Sequence, residues 1–394
     1  MKKIIVVGGG YGGLRAVEKL SSTNTYEILL IDKNRFHYLQ TETYKFLSGR
    51  LNVCDITFDL KSFCESFKNV KFINDEAIDV DNKKSLLICK NGLYRYDYLI
   101  IAAGAKDSFP KSIKNLEKYS ISIKDLHNAF KFKQRFLQNL FDEVTSSKKL
   151  DIVIGGAGLS GVELAADFKS ISKECGREVG QKTLMNVTLI EASETILPGN
   201  DEYIIKETYD RLKKLGINIL LNAPILEVTE NQIILKDKRV DYDSFIFTGG
   251  IEASDFVKNL NFPKNSKNQL IVNNRLQIDK NIFAIGDCAQ IKDKEGNILP
   301  PTAQIAEQSA EYVAKVINEE TTKSFEGKIY GMFIALGKDY AVGHIANKIF
   351  LKGRLAYLVK MVITKIYSWG IKIKVNSGYM KRKDYKPASS IFKA

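Results

Sequence analysis

Ile4-Ile5-Val6-Val7-Gly8-Gly9-Gly10-Tyr11-Gly12-Gly13, followed fifteen residues later by Ile28-Leu29-Leu30-Ile31-Asp32, decides how the chain folds. An apolar, β-branched run ends in a GxGxxG turn, residues 14–20 have the pattern of a helix, and a second apolar strand ends at Asp32, 24 residues after Gly8. That is the order of a βαβ unit binding a dinucleotide. Gly8 allows the tight turn, Gly10 lets the backbone approach a pyrophosphate, and Gly13 lets the helix pack on the strand. The helix start offers unpaired N–H groups and the positive end of its dipole to the phosphates. Asp32 is placed to accept hydrogen bonds from a ribose.

The same order recurs. Asp151-Ile152-Val153-Ile154 reads as a strand, Gly156, Gly158 and Gly161 make a second GxGxxG, and Val187-Thr188-Leu189-Ile190 ends at Glu191. Glu191 lies 35 residues after Gly156, because the helix and loop between are longer. Tyr96-Asp97-Tyr98-Leu99-Ile100-Ile101-Ala102-Ala103-Gly104 also aligns without gaps on Tyr242-Asp243-Ser244-Phe245-Ile246-Phe247-Thr248-Gly249-Gly250, a closing strand with small residues at its end. One GxGxxG is weak evidence; two, each with a strand, an acid and a closing strand, predict two dinucleotide sites. Carboxylates at both ribose positions favour FAD and NAD(H) over NADP(H).

Asn281-Ile282-Phe283-Ala284-Ile285-Gly286-Asp287 is a third strand ending in Gly-Asp, and a helix over 302–318 follows the Pro300-Pro301 break. The first domain is therefore expected to be split around the second. The length of 394 residues suits two or three domains, and 44% hydrophobic with 27% charged residues is a globular mix. Five scattered cysteines with no CxxC argue for a reducing, cytoplasmic setting, against a disulfide scaffold and against a zinc ribbon. His37, His127 and His344 are too far apart in sequence for a His-based metal site, so no metal is expected. No signal-peptide core is expected at the N-terminus, and no 18-residue apolar stretch occurs.

The formal net charge is +13, and it is unevenly placed. Residues 331–394 hold 13 Lys plus Arg against only Asp339 and Asp384, a net of +11. In the same segment Leu351, Leu355, Leu358, Val362, Ile366 and Trp369 recur at helical spacing, Val359 and Ile363 widen the stripe, and Arg354, Lys360 and Lys365 fall off its centre. Tyr367 and Trp369 suit a lipid–water boundary. An apolar face with basic flanks fits a membrane surface; a docked core helix, a homodimer interface and a nucleic-acid patch are the alternatives.

Taken together, these residues resemble the two-dinucleotide-binding-domain flavoproteins, and within them the type II NADH dehydrogenases, the non-pumping NADH:quinone oxidoreductases, over essentially the whole chain. Ala303-Gln304-Ile305-Ala306-Glu307-Gln308 looks like the AQxxxQ quinone-site signature, and Glu163 matches an acid placed beside nicotinamide and flavin. The chain departs where the family has Pro-Leu-Leu-Tyr-Gln: here the run is Thr41-Glu42-Thr43-Tyr44-Lys45, and only Tyr44 carries over. CxxxxC, the mark of disulfide reductases of this fold, is missing, and Cys288 is the one cysteine expected near the flavin, as a packed residue.

The resemblance implies an α/β, glutathione-reductase-like fold of two Rossmann-like domains with a C-terminal amphipathic membrane-anchoring segment. The expected division is 1–112 and 263–328 for a discontinuous FAD domain, 113–262 for the NAD(H) domain and 329–394 for the membrane segment. Non-covalent FAD would contact Gly8, Gly10, Gly12, Gly13, Asp32, Lys33, Ala103, Gly104, Asp287, Ala303 and Gln304. NADH would contact Gly156, Gly158, Leu159, Ser160, Gly161, Glu191 and Gly250. Glu163, Gln304 and Gln308 are the expected catalytic residues, with Glu163 either bonding the nicotinamide or steering protons, unless it only complements the helix dipole. The implied partners are a quinone and an anionic membrane surface at the cytoplasmic face of the inner cell membrane, not nucleic acid. A reductase of the same fold acting on ferredoxin, sulfide or a soluble acceptor is the alternative, as is a non-catalytic NAD(H)-sensing protein.

Overall fold

The computed structural model describes residues 1–146 and 149–381. Its first unit is a six-stranded sheet in the order Gln277–Asp279, Ile282–Ala284, Tyr98–Ile101, Lys2–Val7, Tyr26–Asp32, Val70–Asn74. Lys2–Val7 runs parallel to both neighbours, with Val7 opposite Ile31 and Ile101. Ile4, Ile5, Val6, Ile28, Leu30 and Ile31 are fully buried, which is why both strands read as unbroken apolar runs rather than alternating ones. Ile282–Ala284 joins the same sheet, parallel to Tyr98–Ile101, so the first sheet takes strands from both sides of the second unit in the chain.

The second unit is a parallel sheet in the order Asn218–Leu220, Met185–Ile190, Leu150–Gly155, Ser244–Phe247. Its first helix, Leu159–Glu178, is 20 residues long against 11 for Tyr11–Ser21, and this accounts for much of the longer spacing to Glu191. The paired segments at Tyr96 and Tyr242 do matching work. Asp97 Oδ2 accepts from Lys3 N at 2.6 Å and Asp243 Oδ2 from Asp151 N at 2.8 Å, each pinning its unit's first strand. Both units also insert a three-stranded antiparallel meander before that segment, a repeat that no motif marks. Ala105–Asp107 and Ile251–Ala253, paired antiparallel, carry the chain out of the first unit and back.

After the helix Ala303–Ile317, which Thr302 caps by accepting from Ile305 N, comes a three-stranded antiparallel sheet (Gly331–Ala335, Ala341–Ile345, Ile349–Lys352) and then the helix Gly353–Met380. Leu351 belongs to the last strand and not to the helix, which starts at the positive-φ Gly353. Leu355, Leu358, Val362, Ile366, Trp369 and Ile373 are 53–70% exposed, while Ala356, Ile371 and Gly378 on the opposite side are buried against the body. Lys360 and Tyr367 correct the expectation of a lipid-facing flank and boundary: Lys360 lies about 140° round the helix from Leu355 and, like Tyr367, turns inward. Residues 382–394 of the expected membrane segment lie outside the described residues. Among the described residues no helix is long and apolar enough to cross a membrane.

Candidate functional site

The two glycine turns match bond for bond. Gly8 N donates to Ile31 O and Gly156 N to Ile190 O, both at 2.8 Å. Asp32 Oδ2 accepts from Gly9 N and Glu191 Oε2 from Ala157 N, both at 2.6 Å. A Cβ at Gly13 would stand 1.8 Å from Gly8 O and one at Gly161 1.9 Å from Gly156 O, so helix and turn pack backbone to backbone. In front of Gly10 and Gly158 the space is open, with nothing within 4 Å of a Cβ, and neither helix start is capped by a side chain. Open space, uncapped N–H groups and a nearby carboxylate fit the phosphate and ribose of a dinucleotide at both turns. Burial raises the Asp32 carboxyl, and the Gly9 and Asn34 N–H groups pull it back.

The other expected contacts fall around these turns. Gly104, with φ +64° and open space before it, follows Ala103 at the end of the closing strand, and Lys33 is exposed next to Asp32. Gly12 packs on the backbone of Ala306, one turn into the helix that Ala303 and Gln304 begin. Asp287 is paired with Lys124 at 3.0 Å. Leu159 and Ser160 are exposed at the start of the second helix, and Gly250 O accepts from Ser108 N.

Glu163 lies just past the first turn of its helix and does not complement the dipole there. Its Oε1 accepts from Ala335 N at 2.9 Å and from Lys360 Nζ, which also donates to Phe333 O at 3.2 Å. Burial raises the Glu163 carboxyl, while Lys360 and the Ala335 N–H pull it part of the way back. The Tyr44 ring lies 5.1 Å from Lys360 Nζ and 5.4 Å from Lys45 Nζ, and its buried hydroxyl has no partner among the described residues. Arg50 ties the first unit to the second by gripping Asp167 at 2.9 Å and Glu174 at 2.7 Å. Neither Lys360 nor Arg50 carried a motif; each acts on a residue more than a hundred positions away.

Gln304 and Gln308 share a face, as their spacing requires, and both bond main chain. Gln304 donates to Gly331 O (2.7 Å) and accepts from Tyr330 N (3.0 Å); Gln308 donates to Lys328 O (2.7 Å) and accepts from Lys328 N (2.9 Å). They fix the start of the strand Gly331–Ala335, whose other end holds Glu163. Between them, burial pushes the Glu307 carboxyl up to about 7, with Arg15 opposing and Glu311 and Glu18 adding to it. An acid whose folded pKa is raised binds more protons in the native state, so stability falls as pH rises from about 4.5 through 7. Guanidinium melts should show wild type losing about 1–2 kcal/mol more than Glu307→Gln between pH 5 and 8, discounted for partial exposure. Parallel pH profiles would refute this. Cys288 is fully buried, its Sγ 3.2 Å from Ile285 O, and burial pushes its thiol up to about 12, so it supplies no thiolate. No group of three His, Cys, Asp or Glu among the described residues could hold a metal.

Two doubly wound units, a split first sheet and matched glycine turns define an oxidoreductase of the two-dinucleotide-binding-domain class. The chain belongs to the pyridine nucleotide-disulphide oxidoreductase family, whose profile matches residues 2–310. It is 28% identical over 384 residues to a type II NADH:quinone oxidoreductase of Staphylococcus haemolyticus, spanning 92% of this chain and 94% of that one. The solved structure of NDH2 from Plasmodium falciparum in complex with NADH superposes with a TM-score of 0.83 at 22% identity, over 98% of both chains. The sulfide:quinone oxidoreductase of Aquifex aeolicus gives 0.79 at 21% identity, over 95% of this chain and 92% of that one.

Proposed function

We propose that this protein is an FAD-dependent NADH:quinone oxidoreductase that works on a membrane surface and pumps no protons. The carrying observation is the half-buried Glu163–Lys360 pair, which joins the first helix of the second unit to the C-terminal helix, in a chain similar along nearly its whole length to type II NADH:quinone oxidoreductases. FAD, when bound, supplies hydride-acceptor and two-electron-donor chemistry. Gly8, Gly10, Gly12 and Gly13 would hold its pyrophosphate and Asp32 its ribose, with Lys33 beside it. Ala103, Gly104, Asp287, Ala303 and Gln304 would line the remainder. Gly156, Gly158, Leu159, Ser160, Gly161 and Gly250 would hold the NADH, with Glu191 accepting from the ribose hydroxyls and repelling a 2′-phosphate.

Glu163 Oε1 and Lys360 Nζ give the site one proton-holding pair beside the Tyr44 ring, whose centroid is 5.1 Å from Lys360 Nζ. Gln304 and Gln308 position the strand that presents the Ala335 N–H to that pair. The inert Cys288 and the lack of a CxxxxC argue against sulfide or disulfide as substrate. The test is a pair of half-reactions: NADH should bleach the flavin absorbance and a soluble quinone should restore it. Without bleaching the enzyme reading is wrong; bleaching without recovery removes quinone as acceptor.

The exposed apolar stripe of the helix Gly353–Met380 would lie in the cytoplasmic face of the inner cell membrane. The helix carries no acidic residue, and Arg354, Lys365 and Lys372 follow one edge of the stripe. Ile366→Glu with Trp369→Glu should weaken co-sedimentation with anionic liposomes at least about tenfold while NADH still bleaches the flavin. Unchanged sedimentation with loss of a dimer in solution would assign the face to a second copy instead.

A further inference from the structure

We propose that His37 is the positioning residue of the first glycine turn and that Tyr367, on the C-terminal helix, holds it there. The inference rests on reading that turn as the FAD site. His37 is 1% exposed, with Nδ1 2.9 Å from Gly9 O and Nε2 3.2 Å from the Tyr367 hydroxyl. A carbonyl can only accept, so Nδ1 carries the N–H, and Nε2 is left to accept the Tyr367 O–H. Burial drives the ring's pKa down to about 4, which keeps it neutral with a single N–H. The ring is fixed by aromatic neighbours as well, edge-on to Tyr11 at 5.1 Å and stacked near Phe58 at 6.1 Å.

The geometry of the peptide gives this bond its consequence. Gly9 N–H is already taken by Asp32, and Gly9 C=O by His37. In a trans peptide the carbonyl and the following N–H point to opposite sides. Tying Gly9 O to His37 therefore fixes the Gly10 N–H on the side of the turn away from the ring. Rotation of that one peptide would withdraw a phosphate-binding donor.

The second turn is an internal control. Ala157 stands where Gly9 does: its N–H is taken by Glu191, and its carbonyl accepts from Leu197 N at 2.8 Å. Both turns thus pin the same carbonyl from outside the motif. The second uses a main-chain N–H, which any residue but proline supplies, and the first uses an imidazole, which a side-chain substitution removes. Because Tyr367 lies on the helix whose outer stripe is the proposed membrane face, two hydrogen bonds join that helix to the first turn.

Dilution of holoenzyme, with FAD release followed by flavin fluorescence, tests the assignment, and calorimetry with ADP-ribose reports the second turn. His37→Phe removes the donor and should release FAD about 10- to 100-fold faster, with ADP-ribose affinity unchanged. His37→Asn, whose amide nitrogen can take the place of Nδ1, should stay within about fivefold of wild type. Tyr367→Phe loses one hydroxyl and should release FAD about 2- to 10-fold faster, and these two milder variants keep the test alive if His37→Phe does not fold. Wild-type release from His37→Phe, an equal loss of ADP-ribose affinity, or His37→Asn failing as badly as His37→Phe would each overturn the role. Wild-type protein that holds no FAD would instead overturn the flavin reading, and this inference with it.

Discussion

Gly13→Ala is expected to yield protein without flavin. The added Cβ would stand 1.8 Å from Gly8 O, an approach that no real pair of these atoms makes. The contact is backbone on backbone, so no rotamer relieves it, and the helix Tyr11–Ser21 must move away from the turn by more than an ångström. Its N-terminal N–H groups then leave the phosphate position, and charge-assisted hydrogen bonds weaken steeply over such a distance. A loss of about 1000-fold in FAD affinity follows, roughly 4 kcal/mol. Gly161→Ala meets the same wall, 1.9 Å from Gly156 O, and should remove ADP-ribose binding while FAD is retained. The ratio of flavin to protein absorbance, with ADP-ribose calorimetry, reads both. Stoichiometric FAD in Gly13→Ala would mean that the first turn does not clasp the cofactor.

Both turns were legible in the sequence because their determinants are local. A buried strand, three glycines at fixed offsets and an acid at the end of the next strand leave little to tertiary context, and the second copy removes most of the ambiguity. Asp97 and Asp243 were visible as a repeat, though their bonds to Lys3 N and Asp151 N were not. The C-terminal helix shows where such reading stops. Apolar periodicity marks one side of a helix without saying what covers it, and here that side is the exposed one. The inward side carries Lys360, Thr364, Tyr367 and Lys374, which bond Glu163, Glu42, His37 and Glu18. These are polar contacts between distant segments, and a single sequence has no period that reveals them. Leu351 was misassigned for a related reason: a short apolar run fits helix and strand equally until Gly353 breaks it.

Lys360→Met should be the most destabilising single change in the site, because it strands a carboxylate that burial already disfavours. With the ammonium gone, only the Ala335 N–H holds down the Glu163 pKa, which rises further above its unfolded value. Native protein then binds an extra proton, so the variant's stability falls as pH rises beyond about 4.5, where the unfolded carboxyl has ionised. At pH 8 the expected loss is about 3–5 kcal/mol, the usual result of removing one partner from a buried pair. Glu163→Gln leaves the ammonium unpaired and should cost a comparable amount. The double variant removes both charges and should be more stable than either single one, with the steep pH dependence gone. Guanidinium melts at pH 6 and 8 measure all four proteins, and losses that simply add would show that the two side chains act independently. Function should part from stability here: the double variant folds well, NADH still bleaches its flavin, yet quinone restores the colour slowly, because the proton-holding pair is gone. Recovery at the wild-type rate would reduce Glu163 and Lys360 to a structural clamp between the units.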